Sequence, residues 1–149
     1  MPNETKNWLY IKGDENEKQD FYDKHIKNIN NTNWLNFTAL FPKEEEKFYF
    51  NKWELTRNGL LTINDIHDNI LIETPWRPCD KWVLDISKKY KNLKFILLYH
   101  DEYAEDYYGF LVSKNGSLLG KKLNNVEYDD NYGVIDDYFE RILDIYHPK

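Results

Sequence analysis

The chain has 149 residues, 17% of them aromatic, with 20 basic and 26 acidic side chains and a net charge of −6. That length predicts one domain with a core of its own, and so many aromatic residues argue against disorder. No apolar run reaches the roughly 20 residues that a membrane-spanning helix needs, the opening MPNETKNWLYIKGD lacks the layout of a secretory signal, and the single cysteine, Cys79, excludes an internal disulfide framework and fits a reducing, cytoplasmic setting.

Residues 7–13, NWLYIKG, set Trp8, Tyr10 and Lys12 against Leu9 and Ile11, a strand ended by Gly13-Asp14. Residues 15–29 carry Phe21, Tyr22, His25, Ile26 and Ile29 at helical spacing, which predicts an amphipathic helix packed on that strand. Residues 28–33 read as an Asn/Thr-rich loop. Residues 34–42, WLNFTALFP, read as a packed loop, and 43–47, KEEEK, as a solvated charge run. Residues 48–56 read as a strand with Phe48 and Phe50 inward, and Arg57-Asn58-Gly59 as its hairpin turn. Residues 60–63 return, and after a polar stretch the strand resumes at Ile70.

The stretch 70–102 is the most strongly patterned. Ile70-Leu71-Ile72 is β-prone, and Pro75 and Pro78 interrupt it. Pro78 suits the first turn of a helix. Trp82, Val83, Ile86 and Tyr90 then form one apolar stripe. Asp80 near the start and Lys88, Lys89 and Lys91 near the end match the helix dipole, with Asn92 as the C-terminal cap. Residues 93–99 are apolar on both faces, Leu93, Phe95, Leu97 and Tyr99 against Ile96 and Leu98, which belongs inside a sheet.

Further on, residues 102–106 form an acidic loop. Residues 107–113 and 118–123 flank Lys114-Asn115-Gly116-Ser117, a second hairpin. Residues 124–133 read as a surface loop. Val134, Ile135, Tyr138, Phe139, Ile142, Leu143 and Tyr146 predict a closing helix over 134–146. The order β-α-β-β-α-β over 7–102 predicts an α+β fold, a ferredoxin-like plait with an antiparallel sheet and both helices on one face. The hairpin at 107–123 and the closing helix are additions to it, within one domain spanning 1–149.

Three groups of residues bring a family to mind. They are Asn7-x-Leu9-x-Ile11-x-Gly13, then Asn36-Phe37-x-x-Leu40-x-Pro42, then Thr74-x-Trp76-x-Pro78 followed by Tyr90-x-Asn92-Leu93-x-Phe95-x-Leu97-x-Tyr99-x-Asp101-Glu102 and Gly109. Together they resemble the YubB-type ferredoxin-like family of phage and plasmid proteins, over roughly residues 7–116. Of that family's tryptophan-rich motif, Arg57-Asn58-Gly59-Leu60-Leu61 keeps just the glycine, and Cys79 stands where its second proline would be. The resemblance implies a ferredoxin-like fold and a mobile-element origin, hence the cytoplasm of a bacterial host, and it implies no particular activity.

Reactive constellations are sparse. His100-Asp101-Glu102 with Glu105 and Asp106 holds metal-ligand types, but consecutive strand residues face opposite ways, so a solvated strand end is the better reading and no metal or cofactor is expected. His67-Asp68 is half of an acid–base pair in a polar turn. Cys79, behind Arg77 at a helix start, would be nucleophilic only with a lowered pKa, and a small buried residue is the default. Trp76 and Arg77, between two prolines, present an indole and a guanidinium suited to stacking, or cap the core.

Charge carries more information. Residues 1–98 hold 15 acidic and 15 basic side chains, whereas residues 99–149 hold 11 acidic and 5 basic, the whole excess, together with eight of the twelve tyrosines. Glu102, Tyr103, Glu105, Asp106, Tyr107 and Tyr108, then Glu127, Tyr128, Asp129, Asp130 and Tyr132, then Asp136 and Asp137, interleave carboxylates with phenols. Tyrosine gives contact area at low entropic cost, and carboxylates steer a basic partner. The expectation is a non-enzymatic binding protein that docks this acidic face on a basic, nucleic-acid-binding surface of a host protein such as a defence nuclease, with no direct nucleic acid and no membrane. Two alternatives are an RNA- or single-strand-binding plait and a small-molecule site or enzyme around Trp76, Arg77 and His100.

Overall fold

A computed structural model describes residues 4–29, 32–35, 60–64, 69–75, 78–101, 108–122 and 134–147. In chain order the elements are β1 (Glu4–Gly13), α1 (Glu15–His25), β2 (Ile26–Ile29), β3 (Thr32–Leu35), β4 (Leu60–Asn64), β5 (Asn69–Pro75), α2 (Asp80–Lys89), β6 (Leu93–Asp101), β7 (Tyr108–Lys114), β8 (Ser117–Lys122) and α3 (Val134–Tyr146). The strands form one antiparallel sheet in the order β2-β3-β4-β5-β1-β6-β7-β8. Within it, β6-β1-β5-β4 with α1 and α2 is the ferredoxin-like plait. The hairpins β2–β3 and β7–β8 extend it at either side. Among the described residues no helix is long and apolar enough to cross a membrane.

Strand alternation sorts the core into two layers. Leu9, Ile11, Ile70, Ile72, Leu93, Phe95, Leu97 and Leu111 face α1 and α2, where they meet Phe21, Trp82, Val83, Ile86 and Tyr90. Ile96, Leu98, Phe110 and Val112 face the other way and meet Phe139 and Ile142 of α3, with Trp8, Tyr10, Tyr138, Leu143 and Tyr146 packed around them. The two-sided apolar pattern of residues 93–99 thus has its cause in helices on both faces of β6. The plait helices share one face, as expected, and α3 covers the other. Gly120 leaves the room that the Tyr146 side chain occupies beside Phe110.

Several local expectations need correction. The helix predicted over 15–29 ends at His25. Ile26 is already extended, at φ −113° and ψ 120°, although its N–H still bonds to the Tyr22 carbonyl. Residues 26–29 and 32–35, expected as helix end and loop, pair as a hairpin. Branched Ile26 and Ile29 and two asparagines are poor helix formers, and a cross-strand ladder satisfies the same backbone groups. β4, expected to return against residues 48–56, pairs among the described residues with β3 at Leu60 and Leu61 and with β5 from Leu60↔Glu73 to Asn64↔Asn69. The expected strand at 48–56 and the turn at 57–59 lie outside the described residues.

At α2 the cap is Cys79, so Pro78 precedes the helix rather than opening it. At the other end Tyr90, not Asn92, is the C-cap. Asn92 instead offers its carbonyl to the Asp14 N–H at 3.4 Å. The β7–β8 turn is shorter than expected: Asn115 (φ 52°) and Gly116 (φ 76°) alone connect the strands, the left-handed pair that Asn-Gly tolerates. The closing helix lies where its periodicity placed it.

Candidate acidic interface

The acidic segments leave from one end of the sheet. β6 finishes at Asp101, opposite Thr5, and β7 opens at Tyr108, opposite His100. β8 finishes at Lys122, opposite Phe110. Residues 102–107 and 123–133 are therefore both flanked at that end. α3 begins there too, because Tyr138, one turn into it, meets the Tyr108 ring edge-on at 5.2 Å and Phe110 at 6.1 Å. Positions 136 and 137 lie in the turn before Tyr138, at the helix end where acidic residues complement the dipole. Further along α3, Glu140, Arg141 and Asp144 are exposed.

Of the residues expected to form the face, Glu102, Tyr103, Glu105, Asp106, Tyr107, Glu127, Tyr128, Asp129, Asp130 and Tyr132 lie outside the described residues, as do Trp76, Arg77, His67 and Asp68. Tyr108 requires correction. It is 5% exposed, held between His100 at 6.5 Å and Tyr138, so it anchors α3 instead of offering contact area. Burial, with Tyr108 alongside, pushes the Tyr138 phenol up to about 12 from 10.0.

His100 shares its sheet face with Ile96 and Leu98, the α3 side. Among the described residues no group of three or more His, Cys, Asp or Glu side chains could hold a metal ion. Cys79 is buried, and that burial, with Asp80 adjacent, pushes its thiol far above the ordinary value. That is the reverse of a nucleophile's tuning.

Two polar arrangements escaped the sequence. Asn7, fully buried on β1, shares its two Nδ2 hydrogens among the carbonyls of Thr5 (3.1 Å) and Ile72 (3.0 Å) and Thr74 Oγ1 (2.8 Å), and its Oδ1 accepts the Cys79 N–H at 3.1 Å. It fastens the start of α2 to β1 and β5. At the end of the sheet away from Tyr108, Lys12 stands opposite Lys94, and Lys94 opposite Lys114. These lysines are about 80 and 20 positions apart, so only strand register unites them; their one sequence signal is that each sits beside a predicted turn.

A model of the ferredoxin-like domain in Api92-like proteins matches residues 48–146, about two-thirds of the chain. The chain belongs to that family. In this Api92-like ferredoxin-like domain the match takes in β4 through α3, including the acidic end. β1, which lies between β5 and β6 and completes the plait, precedes it. No characterised protein and no solved structure matched the chain.

Proposed function

We propose that this domain is a non-enzymatic binding protein of a phage or plasmid element. It docks an acidic, tyrosine-rich face on the basic, nucleic-acid-binding surface of a host protein, with bacterial defence nucleases as the natural targets. The observation that carries this reading is the charge distribution: the whole excess of six negative charges lies in residues 99–149. Support comes also from the shared sheet end at which residues 102–107, residues 123–133 and the first turn of α3 meet the fold. An excess of carboxylates in one part of a chain raises the local concentration of a cationic partner and disfavours anionic ones. The YubB-type resemblance supplies the mobile-element setting.

Capture from a bacterial lysate at low salt, read by mass spectrometry, tests the proposal. The unaltered domain should retain a nucleic-acid-binding protein that is released as salt is raised. The triple variant Glu127→Lys, Asp129→Lys, Asp130→Lys should lose it. Retention unchanged by the triple reversal would sink the proposal.

A further inference from the structure

The lysine row at the far end of the sheet is a second charged feature, opposite in sign and independent of the acidic end. Lys12 of β1, Lys94 of β6 and Lys114 of β7 occupy directly opposed positions on three neighbouring strands. All three belong to the face that carries Trp8, Tyr10, Ile96 and Val112. Adjacent strands lie about 4.8 Å apart, so the row spans about 10 Å. Like charges placed directly opposite destabilise a sheet, and here the central residue has one on each side. Burial and the two flanking ammoniums hold Lys94 below its ordinary value.

We infer that Lys12, Lys94 and Lys114 form a contact site for the phosphate backbone of single-stranded nucleic acid. The cations form a line instead of converging on a point, and a line suits an anion that repeats along a chain. Lys12 and Lys114 are exposed, and their long stems let the ammoniums follow uneven phosphate spacing. Next to Lys12 on the same face is Tyr10, partly exposed, with the His147 ring 5.4 Å from its own. Such rings give a base a surface to stack on. The described residues that flank the acidic segments, Asp101, Tyr108 and Lys122, lie at the other end of the sheet.

The test is fluorescence anisotropy with a labelled single strand of about 20 nucleotides. Neutralising three phosphates predicts an affinity that falls about 100-fold between about 20 and about 200 mM salt. The variant Lys12→Gln, Lys94→Gln, Lys114→Gln should bind at least about tenfold more weakly at the lower salt. Because it removes the repulsion on Lys94, it should keep its circular dichroism spectrum and melt no lower than the unaltered chain. The Glu127→Lys, Asp129→Lys, Asp130→Lys variant should bind the strand as well as the unaltered chain or better, which separates this site from the acidic face. Polyglutamate of equal charge should compete poorly. Absence of binding at low salt, full binding by the glutamine variant, or equal competition by polyglutamate would each overturn the inference.

Discussion

The Asn7 side-chain oxygen accepts the backbone N–H of Cys79 at 3.1 Å, joining an interior strand of the sheet to the cap of α2 across 72 residues of sequence. The Cys79 side chain makes no cap bond, and Asn7 takes the cap residue's own N–H, the donor that a Glu or Gln at the third helical position takes in a capping box. Asn7→Ala would strand the Cys79 N–H and remove a partner from the Ile72 carbonyl and the Thr74 hydroxyl, all buried. A loss of about 3 kcal/mol in urea unfolding is expected, from two or so unsatisfied buried groups. Asn7→Asp should be worse, because the amide donor would become an acceptor facing three oxygens. A loss below about 0.5 kcal/mol for Asn7→Ala would contradict this account of α2's anchoring.

Tyr138 makes the alkaline limb of the stability curve predictable. Its phenol is raised from 10.0 to about 12, chiefly by burial. The folded state therefore holds this proton more tightly than the unfolded state. The resulting stability is present in full below pH 10 and is lost as pH climbs toward 12. Tyr138→Phe should flatten that decline. At neutral pH the same variant should be no less stable, since the Tyr138 hydroxyl is buried without a hydrogen-bond partner among the described residues. Urea midpoints at neutral and alkaline pH check both halves.

Lys94 has the opposite sign. Its amine is lowered below 10.5 by burial and by Lys12 and Lys114. The charged form is penalised on folding, so stability rises as pH increases from the lowered value to 10.5. Lys94→Gln should abolish that rise and stabilise the fold by about 0.5 kcal/mol at neutral pH and low salt, a gain that shrinks as salt screens the row. A destabilised glutamine variant at low salt would contradict the repulsion.

Phe139 measures the docking of α3. It is 9% exposed, lies 5.7 Å from the Trp8 ring and touches the layer formed by Ile96, Leu98, Phe110 and Val112. Phe139→Ala should cost about 3 kcal/mol. Because the other layer keeps its own helices, the variant should also bind a hydrophobic dye at concentrations of denaturant that leave α1 and α2 intact. Loss of both layers in one step would show that α3 is part of a single cooperative unit.

Much of the fold was legible because its signals are local. The periods of 3.6 in α2 and α3, the two-sided run of β6 and the Asn115-Gly116 turn each carry their cause within about ten residues. The hairpin of β2 and β3 was not legible, since Ile26 and Ile29 suit a helical stripe and a strand about equally, and strand pairing decided between them. Of the residues expected in the acidic face, Tyr108 turned inward, because its burial depends on α3 arriving 30 residues later.

By itself the sequence determined the element types over most of the described chain, the α+β class and the placement of every excess negative charge after residue 98, all of which follow from composition and short-range periodicity. Only the tertiary structure decided that α3 covers the second face of the sheet, that Asn7 holds α2, and that three lysines line up at the end opposite Tyr108. Those are matters of register and layer order, and register is fixed by contacts between residues tens of positions apart, where a linear pattern carries no signal.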